Sequence, residues 1–313
     1  MRDQILWTEK YRPTKIDDCI LPDDLKKTFH DFVAKGELPN LLLSGTPGTG
    51  KTTVARATCN ELDCDNILIN ASQSGNIDTL RTTIQNFAST VSLKGGRKIV
   101  ILDEADFLNP NSTQPALRGF MEEFAANCGF IFTCNFKNRI IGAIRDSRLA
   151  NIEFRFTNKD KPKLAMHFMK RVKYILDAEH VEYSDGVIAE IIKKYFPDYR
   201  RVLNELQRYS TSGKIDDGIL ARVADVKVGD LIKAMKSKDF DKVRKWTVNN
   251  LDNDPTRIYR NLYDALYEHL QDNSIPVAIL KIADYQYKSA FVADQEINLV
   301  ACLIEIMVDC DWK

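Results

Sequence analysis

A glycine-rich segment at residues 45–52 constrains the fold of this chain more than any other feature. It reads Gly45-Thr46-Pro47-Gly48-Thr49-Gly50-Lys51-Thr52, follows an apolar run at 41–43, and leads into a stretch with helical character. Only a glycine-rich turn lets several backbone N–H groups point at one triphosphate. We predict that Lys51 reaches the terminal phosphates and that the Thr52 hydroxyl binds magnesium. Chance produces such a match in about 1% of chains with ~300 positions of average composition, so the segment predicts a nucleotide site.

Short apolar runs alternate with helical stretches between about residues 38 and 135. The runs lie at 41–43, 67–69, 99–102 and 130–133, and two of the intervening helices are expected at 53–62 and 77–91. Near-continuous apolar strands that alternate with helices are typical of a parallel sheet covered on both faces. Because crossovers between parallel strands are right-handed, we predict an α/β fold with a doubly wound parallel sheet.

The strand pattern disappears after about residue 156, and the rest of the chain is predicted to be helical. The expected helices span residues 160–180, 184–196, 200–225, 229–245, 255–272, 275–288 and 291–310. Ser184 is a good N-cap, and Pro197 requires the helix before it to stop. We predict three domains, a nucleotide-binding domain at 1–155 and helical domains at 156–228 and 229–313.

An acidic segment follows the apolar run at 99–102 and supplies the second half of the predicted site. It reads Asp103-Glu104-Ala105-Asp106 and begins about 50 residues after the glycine-rich loop. At the carboxyl end of a central strand, Asp103 is placed to hold magnesium through water. Glu104 is placed to orient and deprotonate an attacking water. The pair predicts magnesium-dependent ATP hydrolysis.

Polar and cationic side chains extend this site. Asn70 and Asn135 each follow an apolar run, so both are expected in the same layer as Asp103, where Asn135 can hydrogen-bond the terminal phosphate or the attacking water. Hydrolysis also gains from an arginine that approaches the γ-phosphate. The residues alone leave four candidates, which are Arg145, Arg148, Arg200 and Arg201.

Composition narrows the class of protein. The 44 basic and 44 acidic side chains cancel, which excludes a globally basic nucleic-acid coat but not a local basic face. Seven scattered cysteines form neither a zinc module nor a disulfide framework, so we expect reduced, mostly buried thiols in a cytosolic protein. The longest apolar stretch, at 299–308, is too short to cross a bilayer.

A series of motifs resembles one family in both composition and order. The matching segments lie at 7–13 (Trp-Thr-Glu-Lys-Tyr-Arg-Pro), 45–53, 70–72, 103–106, 114–122, 133–135, 147–148 and 197–201. Together they resemble clamp-loader ATPases of the AAA+ class, including replication factor C small subunits. The resemblance is closest to the large, ATPase subunits of T-even-type bacteriophage sliding-clamp loaders, on the strength of segments 20–22, 196–200 and the end Trp312-Lys313.

The resemblance implies a role for each matching residue. It implies that Asp103 and Glu104 take the roles given above, that Asn70 holds Glu104 inactive until DNA binds, and that Asn135 is the first sensor. It selects Arg200 as the second sensor, which reaches the γ-phosphate of its own chain from the helical lid. It selects Arg148 as the arginine finger that inserts into the nucleotide site of a neighbouring subunit. It implies a nucleotide pocket made of Thr8, Glu9, Lys10, Tyr11 and Ile20 around the adenine, and Gly48, Thr49, Gly50, Lys51, Thr52 and Thr53 around the phosphates.

It also implies partners. The cofactors are ATP and Mg2+, and the binding partners are a sliding clamp and primer–template DNA. Other copies of the chain and a distinct small subunit would complete a pentameric ring. DNA polymerase would be an indirect partner, and the location would be the cytoplasm of a bacterial host. Residues 156–228 would be a helical lid and 229–313 an all-α collar that joins subunits. Where replication factor C has an Arg-Gly-Ile that tracks DNA, this chain has Gly75-Asn76-Ile77, which leaves Arg81 and Arg139 as candidate DNA contacts.

Two rival functions share some of these features. A DEAD-type helicase shares the acidic segment at 103–106 but needs a second strand–helix domain downstream. A non-enzymatic scaffold with a vestigial site is disfavoured because Lys51, Thr52, Asp103, Glu104, Asn135 and Arg200 are all intact.

Overall fold

The structure is a computed structural model that describes residues 5–72, 77–92, 95–211, 213–216, 228–250, 255–289 and 291–313. The chain divides into two compact units, residues 1–220 and 221–313. The predicted boundary near 155, inside the first unit, stays a prediction.

A parallel sheet forms the centre of the first unit. Its strands are β1 Leu41–Gly45, β2 Asn66–Asn70, β3 Lys98–Asp103, β4 Cys128–Cys134 and β5 Ala150–Phe154, in the order β2-β3-β4-β1-β5. Every neighbouring pair is parallel, which confirms the predicted doubly wound sheet. The sequence did not predict β5. This strand lies at the edge of the sheet, and its first two residues and Glu153 are exposed, so it lacks a continuous apolar run.

Helices cover both faces of this sheet. The short helix α1 Trp7–Lys10 comes first in the chain, and the helices on the sheet are α2 Asp23–Lys35, α3 Lys51–Glu61, α4 Ile77–Ser89, α5 Thr113–Glu123 and α6 Gly142–Arg145. Alternate residues of β3 enter different cores, since Val100 packs with α4 and α5 whereas Ile101 packs with α2 and α3. Short 3-10 helices lie at Ala105–Phe107 and Lys137–Arg139, just after β3 and β4.

The rest of the first unit is mainly helical. It contains α7 Asp160–Ala178, α8 Asp185–Tyr195 and α9 Tyr199–Ser210. The Asp198 side chain caps α9 by accepting from the Arg201 N–H at 2.9 Å. The prediction of one helix over 200–225 was wrong, because α9 ends at Ser210 and a two-residue strand follows, β7 Lys214–Ile215, which pairs with β6 Glu182–Tyr183. Residues 217–227 lie outside the described ranges.

The second unit is a bundle of helices. These are α10 Val228–Lys236, α11 Phe240–Asn250, α12 Pro255–His269, α13 Ile275–Lys288 and α14 Gln295–Asp309. One helix was predicted over 229–245, and this was wrong, because a turn with Lys238 at φ 51° separates α10 from α11. Ile258, Leu262 and Leu266 on α12, with Leu270 just after it, are spaced four apart and are all buried in the core of this bundle.

All seven cysteines are free thiols and six of them are buried, as expected. Within the described ranges, His, Cys, Asp and Glu side chains form no group of three or more that could hold a metal ion, and no helix combines the length and apolarity that a membrane span requires.

Candidate active site

The glycine-rich loop joins β1 to α3 and opens a cleft at the carboxyl edge of the sheet. Gly48 and Gly50 have φ values of 73° and 92°, which lie in the left-handed region that favours glycine. The resulting turn places the N-terminus of α3 at the cleft, beginning with Lys51. A helix N-terminus with free N–H groups and a positive dipole end favours phosphate there.

The Lys51 ammonium lies inside this loop. It donates hydrogen bonds to the carbonyls of Gly45 and Thr46 at 2.9 and 2.8 Å and to the side-chain oxygen of Asn135 at 3.0 Å. Only 7% of Lys51 is exposed, and burial lowers its pKa to about 8. A bound polyphosphate would stabilise the charged form that burial disfavours.

The Asp103 carboxylate lies beside the loop, at the end of β3. Its Oδ1 accepts from the Thr52 hydroxyl at 2.6 Å and from the Thr133 hydroxyl of β4. One carboxylate and a hydroxyl at the end of a phosphate loop are oxygen ligands of the kind that magnesium prefers. Thr133 was not predicted as a site residue. Its place in the motif at 133–135 was the available signal, whereas its contact with Asp103 follows from the register, in which Leu102 pairs with Phe132.

Glu104 follows Asp103 and lines the same cleft. Its backbone adopts φ 57°, and its N–H donates to the Thr133 hydroxyl at 3.3 Å. Asn70 is the Cα partner of Asp103 on the neighbouring strand. The Asn70 side-chain oxygen accepts from the N–H and hydroxyl of Ser72 at 2.9 and 2.7 Å. The predicted restraint of Glu104 by Asn70 stays a prediction.

Helix α9 closes the cleft from the opposite side. The Tyr199 N–H donates to the Gly48 carbonyl at 3.1 Å, and the Tyr199 hydroxyl donates to the Ile20 carbonyl at 3.3 Å. Arg200 lines the cleft, whereas the Arg201 guanidinium lies 4.6 Å from the Tyr195 ring centroid. The structure thus brings Arg200 together with the phosphate loop.

The predicted adenine segment divides into two groups. Thr8, Tyr11 and Ile20 line the cleft. Glu9 instead pairs with Arg12, and Lys10 pairs with Glu179 at 2.7 Å. The remaining loop residues, Gly48, Thr49, Gly50, Lys51, Thr52 and Thr53, all line the cleft.

Two further arginines, which the sequence did not predict as site residues, line the cleft. The Arg12 guanidinium donates to the Thr53 hydroxyl at 3.1 Å, and Arg171 of α7 donates to the Tyr11 carbonyl at 3.0 Å. Arg12 belongs to the motif at 7–13, which was its only signal. Arg171 sits in an ordinary amphipathic helix, so nothing local distinguished it.

Arg148 is not among the described residues that line the cleft. Its Nε donates to Glu122 at 3.2 Å and its Nη1 to the Ala143 carbonyl at 2.6 Å. Arg145, the alternative finger, pairs with Asp146 at 2.7 Å.

The candidate DNA contacts lie outside the cleft lining. The Arg81 guanidinium lies 5.8 Å from the Phe120 ring centroid, and that of Arg139 lies 5.0 Å from the Phe136 ring centroid. Gly75 and Asn76 lie outside the described residues.

Comparison with known proteins decides the family. A profile of the ATPase family associated with various cellular activities matches residues 41–157, and one of the sliding-clamp-loader large subunit AAA+ ATPase lid domain matches 160–221. The sliding-clamp-loader large subunit of Escherichia phage RB69 is 36% identical, over 97% of this chain and 96% of that protein. The chain belongs to this family. The large subunit of Enterobacteria phage T4 is 33% identical over the same shares of the two chains.

More distant relatives agree with this assignment to the clamp-loader large subunits. A replication factor C small subunit of Sulfurisphaera tokodaii is 32% identical over 98% of this chain and 97% of that protein. A solved structure of a Thermotoga maritima RuvB variant has a TM-score of 0.55 at 20% identity, covering 72% of this chain and 78% of the other, and shows the fold alone. The predicted AAA+ fold is confirmed, and the chain is an ATPase subunit of a clamp loader.

The helicase alternative is wrong. In the described part of the chain after residue 156, the strands are only the two-residue pair β6 and β7, so this part contains no second strand–helix domain.

Proposed function

We propose that this clamp-loader subunit binds ATP with magnesium in the cleft and hydrolyses it only within an assembly. One observation carries the proposal. Six polar groups with complementary roles line a single cleft, whereas Arg148 is engaged elsewhere on its own chain. The six residues are Lys51, Thr52, Asp103, Glu104, Asn135 and Arg200. A site that lacks its finger arginine is completed by a neighbouring subunit.

Each group in the cleft has a defined task. Lys51 neutralises the terminal phosphates, and Asn135 orients the γ-phosphate or the attacking water. Thr52 and Asp103 would hold Mg2+, which neutralises charge on the phosphate oxygens when bound. Glu104 accepts a proton from the attacking water. Arg148 of one subunit would stabilise the charge that develops in the cleft of the next.

The lid would change position when a γ-phosphate is bound. The backbone contact between Tyr199 and Gly48 ties α9 to the loop that cradles the phosphates. Arg200 follows directly on this helix and lines the same cleft. Bound ATP would therefore draw Arg200 and the lid, residues 156–228, onto the nucleotide-binding domain at 1–155.

The partners of this subunit are a sliding clamp, DNA and other clamp-loader subunits. We propose a pentameric ring that contains copies of this chain and a distinct small subunit, held together by the collar at 229–313. Support comes from α13, which carries a stripe of exposed apolar side chains. They are Val277, Leu280, Tyr287 and, just after the helix, Phe291, between 37% and 73% exposed. Exposed apolar side chains grouped on one surface are typical of a protein–protein contact.

DNA would trigger hydrolysis. We propose that ATP binding favours the assembly that opens the clamp and holds primer–template DNA, with Arg81 and Arg139 on the backbone phosphates. DNA contact would release Glu104 from Asn70, and hydrolysis would then release the clamp on DNA. The host cytoplasm stays the proposed location.

Mixed-variant ATPase assays test the shared site. Arg148→Ala and Glu104→Gln subunits are each expected to lose turnover while they retain ATP binding. Assembled together with clamp, primer–template DNA and the partner subunit, they should recover part of the activity. Recovery arises because some interfaces then join an intact Glu104 to an intact Arg148.

Arg145→Ala is the matched control and should keep wild-type activity, since Arg145 pairs with Asp146 on the surface. Full turnover by an isolated Arg148→Ala monomer, or no recovery in any mixture, would contradict the shared site.

A further inference from the structure

Asp106 is a buried carboxylate next to the cleft that has no role in the function described so far. It lies in the 3-10 helix Ala105–Phe107, two residues after Glu104, and is 5% exposed. Its Oδ2 accepts from the backbone N–H groups of Asn135 and Phe136, at 3.2 and 3.1 Å. One charged acceptor thus holds two successive N–H groups of the turn that follows β4.

This turn determines where the Asn135 side chain points. The Asn135 side-chain oxygen accepts from Lys51 at 3.0 Å, so its amide faces the phosphate loop. The Asp106 carboxylate therefore ties the end of β3, which carries Asp103 and Glu104, to the end of β4, which carries Asn135. Because one oxygen accepts from two successive N–H groups, any displacement of the turn has to break both hydrogen bonds.

The second carboxylate oxygen of Asp106 is buried at a cost in folding free energy. Within the part of the chain that the structure describes, Oδ1 is buried without a hydrogen-bond partner. A buried carboxylate oxygen without a partner carries an uncompensated desolvation penalty. The chain therefore keeps this carboxylate at a cost to stability, while both hydrogen bonds of the other oxygen go to the turn that carries Asn135.

We propose that Asp106 is a positioning residue that holds the Asn135 amide at the γ-phosphate end of the cleft. The inference rests on the proposed function, since Asn135 is the group through which Asp106 acts. Asp106 does not touch the nucleotide itself. A substitution at Asp106 should therefore change the rate of hydrolysis and not the affinity for the nucleotide.

The test compares three substitutions at this position in the assembled clamp loader. Asp106→Ala removes both hydrogen bonds, Asp106→Glu keeps the charge but moves the oxygens, and Asp106→Asn keeps one oxygen that accepts from both N–H groups. We expect the Ala and Glu variants to lower kcat by roughly tenfold to a hundredfold, because small displacements of an oriented group cost this much. The KM for ATP should stay within about twofold, and Asp106→Asn should retain most of the activity.

A double variant shows whether Asp106 acts through Asn135. Asn135→Ala combined with Asp106→Ala should be no slower than Asn135→Ala alone, since the two residues form one unit. Multiplied losses, or an Asp106→Asn variant as slow as Asp106→Ala, would overturn the proposal. If Asp106→Ala does not fold, the Glu and Asn variants decide the question by themselves.

Backbone hydrogen exchange gives a readout that does not depend on catalysis. In the nucleotide-free subunit, amides 135 and 136 should exchange roughly tenfold faster or more in the Ala and Glu variants, and at the wild-type rate in Asp106→Asn. Asp146→Ala, at an exposed carboxylate, is the control and should change nothing there. Unchanged exchange in all variants overturns the positioning role, whereas an inactive wild-type assembly overturns the proposed function instead.

Discussion

The Lys51 ammonium donates a hydrogen bond to the Asn135 side-chain oxygen, 3.0 Å away, although the two residues are 84 positions apart. Together with the Gly45 and Thr46 carbonyls, this oxygen takes up all three ammonium protons. The free cleft thus holds its main cation on neutral acceptors. An incoming phosphate exchanges these for an anionic partner, which couples the charge of Lys51 to nucleotide binding.

Proton uptake should accompany ATP binding at high pH. Burial lowers the pKa of Lys51 from 10.5 to about 8, so the side chain of the free subunit is mostly neutral at pH 9. Bound phosphate stabilises the charged form, and ATP affinity should therefore fall as the pH rises through about 8. Calorimetry in two buffers of different ionisation enthalpy should detect close to one proton taken up at pH 9 and almost none at pH 7.

The lowered pKa of Lys51 also contributes to the pH dependence of the free energy of unfolding. Above about pH 8 the unfolded chain holds this proton more tightly than the folded one, so this group adds stability as the pH rises from about 8 towards 10.5. Lys51→Arg is the control for proton uptake on ATP binding, because arginine keeps its charge over this pH range. Equal proton uptake by Lys51→Arg and the wild type would show that another group titrates.

A methyl group at Gly48 should prevent the lid from docking. A Cβ at this position would lie 1.8 Å from the Asp198 side-chain oxygen and 3.1 Å from the Asp198 Cα. We expect Gly48→Ala to weaken ATP binding by at least about tenfold, because the clash displaces the turn that carries Tyr199 and Arg200. Equilibrium titration with a fluorescent nucleotide measures the effect.

Gly36→Ala, just after α2 and outside the cleft lining, is the matched control for backbone strain. Gly36 also has a positive φ, 67°, but a Cβ there meets nothing within 4 Å. Its effect should therefore be confined to a strain cost of about 1–2 kcal/mol. Adding Asp198→Gly should partly restore binding to Gly48→Ala only. Equal losses in the two single variants would contradict the steric explanation.

Arg139 should contribute to DNA stimulation and not to the basal reaction. It lies outside the cleft lining, and a phosphate contact gives affinity that depends on salt. Arg139→Ala should reduce the slope of log affinity for primer–template DNA against log salt by about 1. Lys163→Ala, at an exposed lysine that pairs with Asp23, should leave the slope unchanged. A wild-type slope for Arg139→Ala would remove this residue from the DNA surface.

The exposed stripe on α13 should be required for assembly. Leu280 is 72% exposed in the single chain, so Leu280→Glu should change the free energy of unfolding by no more than about 0.5 kcal/mol. A carboxylate buried in a subunit interface should weaken assembly by at least about tenfold. Light scattering after size-exclusion chromatography measures the mass. Met166→Glu, at a 55% exposed site on α7, is the control, and an unchanged mass for Leu280→Glu would disprove the collar contact.

Features with a local signature could be predicted from the sequence. The four apolar runs became β1 to β4, because a strand buried on both faces needs consecutive apolar residues. The loop at 45–52 and the acidic pair at 103–104 were found because phosphate binding requires specific residue types at fixed spacing.

Features that depend on distant residues could not be predicted in this way. Strand β5 pairs with β1 at the edge of the sheet and lacks the continuous apolar run that marked the other four strands. The turn between α10 and α11 has Lys238 in a left-handed conformation, which sequence alone rarely signals.

The sequence by itself determined the chemistry: which groups can bind phosphate, hold a metal and accept a proton, and that a parallel sheet presents them at one edge. Tertiary structure alone decided which groups meet. It joined Thr133 to Asp103, Asp106 to the turn at Asn135, and Tyr199 to Gly48, and it kept Arg148 outside its own cleft. The reason is physical, since strand register and helix docking are set by the packing of whole elements and not by any one segment.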